Sequence, residues 1–159
     1  MKLWQWFKRL ISLKPHLYIG GVENPYMLRW YILPRNRWLN LYLHKFMRDD
    51  DDRALHDHPW WFVSILLRGS YVEWRERFSV APGVLSTWIH ASPRRFPSIA
   101  FRSAETRHRV TLPAGPCWTL VLTGPKKRTW GFWCPKGFVP WFDFVDKTDE
   151  GNIGKGCGA

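Results

Sequence analysis

Acid is in short supply. Thirteen Asp and Glu stand against 24 Lys and Arg, a net charge of +11 over 159 residues. That balance disfavours cationic partners and favours anionic ones: phosphates, carboxylates, nucleic acid or an anionic membrane face. The basic residues are spread along the chain. Their tightest groups, Arg94-Arg95 and Lys126-Lys127-Arg128, read as solvated surface. Cysteine is scarce as well. Cys117, Cys134 and Cys157 make an odd count without a CxxC, which argues against a disulfide framework and for a reducing, cytoplasmic setting. No apolar run approaches the roughly 18 residues of a membrane span. The N-terminal "MKLWQWFKRLISLK" lacks a small-residue cleavage site, so it does not read as a signal peptide. There is no internal repeat and no sign of a second domain.

Apolar and aromatic residues are plentiful. Hydrophobic residues make up 45% and aromatics 17%, including 12 tryptophans, enough for one packed core in a chain of this length. Leu3, Trp4, Phe7, Leu10 and Ile11 recur at helical spacing among Lys2, Lys8, Arg9 and Lys14. This predicts a short basic amphipathic helix over residues 3–13, stopped by Pro15. Such a helix packs on its own domain or a partner, or lies on a membrane surface.

Beyond it, "MLRWYILP", "WLNLYLHKFM", "WFVSILLRGSYVEWRERF", "VLSTWIH", "SIAFRS", "HRVTL" and "CWTLVLTG" are short β-rich runs bounded by turn residues. Leu39, Leu41 and Leu43 alternate with Asn40, Tyr42 and His44, the pattern of a half-buried strand. Many strands without helical periods between them predict an all-β sandwich or barrel. The expected division is a helix over 1–14, a β-domain over 15–145 and an irregular Gly-rich tail over 146–159.

"RALHDHPWWFVSILLRGSYVEW" carries the clearest chemistry. On a strand, residues i and i+2 share a face, so His56 and His58 project together and Asp57 points away. Two imidazoles so placed can converge on one metal ion. Pro59 cannot donate to a sheet ladder, which puts the pair at a strand end. A third histidine, His108, follows in "ETRHRVTLP".

The order of HxH, an apolar strand, Gly69, another strand and a later histidine resembles the cupin superfamily. Its first motif places His56, His58 and Gly69 at matching spacing. The resemblance spans roughly residues 35–125. The "HDHPW" stretch and "GPCWTLVLTGPKKRTWGFWCPKG" are similar to small bacterial and phage cupin-like proteins without a settled activity. It implies a double-stranded β-helix (jelly-roll) barrel with His56, His58 and His108 as ligands of a divalent transition metal: iron, nickel, manganese or zinc. Departures are plain. Phe62 stands where the cupin glutamate ligand falls, and of the second motif only His108 survives, with Ser103, Glu105 and Leu112 at its other positions. A three-histidine set resembles the thiol dioxygenase branch. Three neutral imidazoles leave the ion's charge uncompensated and positions open.

Other candidates surround these. Tyr71 and Glu73 share a face of the strand after Gly69 and are the candidate acid and base if that face lines the barrel; otherwise they form a polar ladder. Arg102, Arg107 and Arg109 are candidate clamps for a carboxylate or phosphate. Strand parity sets Arg107 and Arg109 opposite His108, so Arg102 leads. Asp52 or Asp57 would orient a histidine, and Glu105 is a further carboxylate near His108. The acidic run at 48–53 reads as a solvated turn, His16 and His90 as surface residues, and "KKRTWGFW" as a packing corner or a base-stacking patch. His44 lies by parity with Tyr42. The expected function is a small metal-dependent enzyme, dioxygenase-like ahead of isomerase or epimerase, acting on a small anionic molecule. A non-catalytic barrel binding a sugar phosphate-like molecule is the alternative, and a nucleic-acid-contacting protein a third and disfavoured one. A homodimer and a membrane-surface contact stay open, the latter not favoured.

Overall fold

β-branched and large apolar residues alternate with polar ones along most of the chain, and strands follow that alternation. A computed structural model describes residues 2–49, 54–81, 84–146 and 154–158. In chain order the elements are α1 (Leu3–Ile11), β1 (Leu17–Ile19), β2 (Met27–Tyr31), β3 (Asn40–Phe46), β4 (Leu55–His56), β5 (Phe62–Arg68) and β6 (Ser70–Ala81). There follow β7 (Val84–Arg95), β8 (Ser98–Arg102), β9 (His108–Thr111), β10 (Cys117–Thr123), β11 (Gly131–Cys134), β12 (Gly137–Pro140) and a single helical turn, α2 (Trp141–Phe144). Each strand read from the sequence is present. The brief β1, β4, β11 and β12 were too short for their periodicity to be seen.

The strands form two antiparallel sheets, ordered β1-β2-β3-β10-β5-β8 and β12-β11-β4-β9-β6-β7. The chain crosses between sheets repeatedly, as an all-β jelly roll does. Gly69 makes the tight turn between β5 and β6. Its φ is +85°, and a Cβ there would come within 2.9 Å of the Cys117 Cβ, so both backbone and space demand glycine.

The alternation in β3 runs opposite to the usual sense. Asn40, Tyr42 and His44 face the interior and are buried, while Leu41 and Leu43 lie on the outer face. The register carries that outer face across the sheet: Trp30, Leu43, Leu120, Ile65 and Ile99 stand in one row, and Leu41, Leu122, Val63 and Phe101 in the next.

α1 is shorter than predicted and sits differently. It holds the body through polar groups: Trp6 Nε1 donates to the Tyr31 carbonyl at 2.7 Å and Arg9 Nη1 to the Pro15 carbonyl at 2.7 Å. Leu3, Trp4, Phe7 and Ile11 stay exposed. His16 is no free surface residue. Its Nε2 lies 3.0 Å from the Trp6 carbonyl and its Nδ1 accepts from the Tyr31 amide, fastening the helix to β2. No helix among the described residues is long and apolar enough to cross a membrane.

The expectation of free cysteines is corrected. Cys134 of β11 and Cys157 of the tail are disulfide-bonded, their Cα atoms 5.4 Å apart. The odd residue is Cys117, buried in the core and free. An odd total concealed a pair because only the fold shows which two meet, and the inference of a reducing compartment falls with it. The described end of the tail, residues 154–158, is also tied down by the Gly154 and Gly156 amides donating to the Phe144 carbonyl.

Candidate metal centre

β4 is two residues long, and pairing fixes it on both sides: His56 opposes His108 of β9 and Phe132 of β11. Pro59 follows shortly after, at the strand end expected of it. His58 turns its ring to the same side as His56, and the three rings make a near-equilateral triangle. Centroids are 5.2 Å apart for His56–His58, 5.0 Å for His56–His108 and 5.0 Å for His58–His108. One nitrogen from each ring can be chosen so that all lie within 4.8 Å of one another. The Nε2 atoms of His58 and His108 face each other at 2.8 Å.

The donor chemistry fits a transition metal. Burial, then the charge of His108, pulls His56 well below the ordinary value of 6.5, and the same two causes lead for His58. Unprotonated imidazoles offer lone pairs, which is what a metal requires. Phe62 faces inward, its ring centroid 4.8 Å from that of His58, so an apolar ring fills the fourth side. Trp130 stacks on His58 at 6.3 Å and 11°. "KKRTWGFW" thus contributes a wall of the site. Its Arg128 binds Asp57.

Glu73 takes the part expected of Asp57. Asp57, wholly buried, accepts from Arg128 Nη1 at 2.8 Å, the Gly131 amide at 2.9 Å and Trp133 Nε1 at 3.2 Å. It pins β11 beside β4 and orients no histidine; Asp52 lies outside the described residues. Glu73 instead stands 3.1 Å from His108 Nδ1. A carboxylate only accepts, so Nδ1 carries the proton and Nε2 is turned toward the other two rings, the arrangement that steadies metal-binding histidines. Arg102 grips the same carboxylate with Nε at 2.7 Å and with Nη2. Arg75 and Arg94 add charge at 3.6 Å each. Burial raises the Glu73 carboxyl, but the hydrogen bonds and charges of His108 and Arg102 outweigh it and hold it well below the usual carboxylate range. Glu73 is therefore a positioning anion for His108 and poorly suited to the role of base. Tyr71 is buried in the core with Leu66, Val110 and Leu112 and lines the cavity. Burial, then Glu73, raises its hydroxyl, so it stays protonated and keeps its O–H as a donor.

The arginines divide as parity predicts. Arg107 stacks on Trp133 at 3.3 Å and pairs with Glu76 at 2.7 Å; Arg109 lies over Trp74 at 4.9 Å. Both are on the far face of β9, away from His108, and neither lines the cavity. Arg102 does line it, but its guanidinium is spent on Glu73 and on the Phe101 carbonyl. Glu105 is exposed in its loop, outside the cavity lining. Of the acidic run, residues 50–53 are outside the described residues, and Asp49 accepts from the Leu112 amide. His90 is exposed, as expected.

The three histidines open into a cavity of about 420 Å³ between the two sheets. Two of its residues were not expected at the site: Arg29 of β2 and His44 of β3, register partners on the inner face. Parity placed His44 correctly beside Tyr42; nothing local marked either residue as a companion of His58.

Known structures share this architecture. The iron(II) form of HppE in complex with substrate aligns with a TM-score of 0.50 at 12% identity, covering 67% of this chain and 54% of that one. The fold is that of the cupins. A cupin superfamily protein from Desulfitobacterium hafniense aligns at 0.47 with 15% identity over 68% of this chain and 84% of the other. KdgF from Halomonas sp. aligns at 0.48 with 12% identity over 70% and 95%. The chain spans about half the length of HppE. No family model matches it, and no curated protein matches its sequence.

Proposed function

We propose that the protein is a metal-dependent cupin enzyme acting on a small anionic molecule. The observation that carries this reading is the convergence of His56, His58 and His108 on one point of an enclosed cavity. A divalent iron, nickel, manganese or zinc ion held there through nitrogen would supply Lewis acidity and open positions for an anionic ligand, O2 or water. Iron(II) is the ion named for HppE, and dioxygenase-like chemistry leads isomerase or epimerase chemistry here. Around the ion, Glu73 keeps the His108 tautomer, Phe62 and Trp130 limit water, and Tyr71 is the protonated donor. The narrower kinship with small bacterial and phage cupin-like proteins rests on the "HDHPW" stretch and "GPCWTLVLTGPKKRTWGFWCPKG" alone.

A second reading, a binding barrel without turnover, is favoured by one observation: Glu73, the lone carboxylate among the described residues of the cavity lining, is committed to Arg102 and His108. Elemental analysis of protein purified without a His-tag separates the two. About one transition ion per chain supports the enzyme. Failure to bind any such metal when it is supplied in excess leaves the binding barrel.

A further inference from the structure

The cavity holds more positive charge than it can use. Its described lining carries three arginines, Arg29, Arg35 and Arg102, against one carboxylate, Glu73. Arg102 and Glu73 neutralise each other. Arg29 has no such partner: its Nε donates to Nε2 of His44 at 2.9 Å, and no ion pair to it forms among the described residues. An arginine always donates, so His44 accepts on Nε2 and its proton sits on Nδ1. Burial, then the charge of Arg29, keeps His44 well below its ordinary value, so it supplies no counter-charge. The Tyr42 ring lies 5.0 Å from the guanidinium carbon. That contact attracts a cation without neutralising it.

A guanidinium so placed is expensive unless something negative joins it. Burial, its leading effect, and nearby Arg35 both work against the charge of Arg29. On the adjoining strand Thr119, register partner of His44, has a buried hydroxyl without a hydrogen-bond partner. Arg29, His44 and Thr119 line the same cavity as His56, His58 and His108, so this corner and the histidine triangle face one space.

We propose that Arg29, seated on His44, binds the carboxylate or phosphate group of the molecule that this cavity receives, with the histidine triangle at the group's other side. The inference rests on the cavity being the ligand site of the proposed function, but not on the metal. It replaces Arg102, Arg107 and Arg109 as the clamp. Its ligand is a small oxyanion-bearing molecule, with a planar fork of two N–H donors available from the free Nη atoms.

Calorimetric titration of the full chain with inorganic phosphate, and separately with acetate, tests it. Both metal-free and nickel-loaded protein are used. Wild type should bind at least one of the two anions saturably at about one per chain, and R29M should lose about tenfold or more in affinity, as truncating one partner of a buried charge pair does. Nickel content should be unchanged in R29M. R107M, outside the cavity, should bind as wild type. Saturable binding of neither anion by wild type overturns the proposal, as does an affinity unchanged in R29M. If R29M does not fold, R29K keeps the charge and loses the fork: a clear fall in affinity supports the site, and an unchanged one overturns it. If wild type takes no nickel, the metal reading fails by itself, and the metal-free titration still decides Arg29.

Discussion

The two faces of the sheet β1-β2-β3-β10-β5-β8 are composed the wrong way round for a simple sandwich. Its inner face carries Asn40, Tyr42 and His44 on β3, Thr119 and Val121 on β10 and Ser64 on β5. Its outer face carries leucines, isoleucines and valine, with Ile99 at 69% and Phe101 at 61% exposure on the edge strand. A sheet that hides its polar face and shows its aliphatic one is built around a ligand space rather than around a dry core. The packed apolar clusters are correspondingly small: Leu66, Tyr71, Val110, Leu112 and Cys117 form one, and Ala54, Phe132, Cys134 and Phe144 another. The candidate site lies on the inner face, and the cost is buried polarity that the fold must satisfy one group at a time.

The contrast can be broken hardest at the histidines. Replacing His56 and His58 together by Ala should abolish metal binding, read as metal per chain by elemental analysis, while the outer face is untouched. Next comes the apolar end. Leu66 is 1% exposed, and Leu66→Ala should destabilise by about 2–5 kcal/mol in chemical denaturation, the range for deleting a buried leucine. A third effect tests the positioning anion. Glu73→Gln should weaken metal affinity by about 10–100-fold, the usual consequence of losing a group that orients a ligand, measured by competition with a chelator.

The pH dependence has a definite sign. Burial holds His44, His56 and His58 well below 6.5 in the folded protein. The unfolded chain therefore binds more protons as pH falls below that value, so stability present above about pH 6.5 is lost progressively on acidification. Glu73, depressed below its ordinary 4.5, adds a loss of the same sign in the range below that value. Urea midpoints of the metal-free protein should hold above about pH 7 and fall steadily from about pH 6.5 to pH 4; a midpoint that rises on acidification contradicts the burial of these rings. The smallest effect belongs to the outer face. Leu67, next in the chain to Leu66 but 41% exposed, and Ile99 should tolerate Leu67→Thr and Ile99→Thr within about 0.5 kcal/mol. A much larger loss in the same denaturation measurement would mean that this face is buried in solution.

Much of this was legible in the chain. Alternation of period two marks strands whatever they pack against, so the principal strands could be read. The spacing of His56 and His58 put them on one side, and the parity around His108 set Arg107 and Arg109 opposite it, though both stayed candidates behind Arg102. Phe62 could be placed beside the histidines through the cupin spacing.

The sequence by itself determined what is local: strand periodicity, the HxH pair and the excess of positive charge. Only the tertiary structure decided what depends on contacts between distant segments. Alternation reports two faces without naming the buried one, and here it is the polar face of β3. It cannot pair Cys134 with Cys157 across 23 residues, nor tell that Glu73 rather than Asp57 meets a histidine, because those choices follow from strand order and register. Arg29 is the clearest instance. In the sequence it is one of 24 basic residues, and it becomes a candidate binding group only where β2 and β3 place it in a cavity whose described lining offers it no carboxylate of its own.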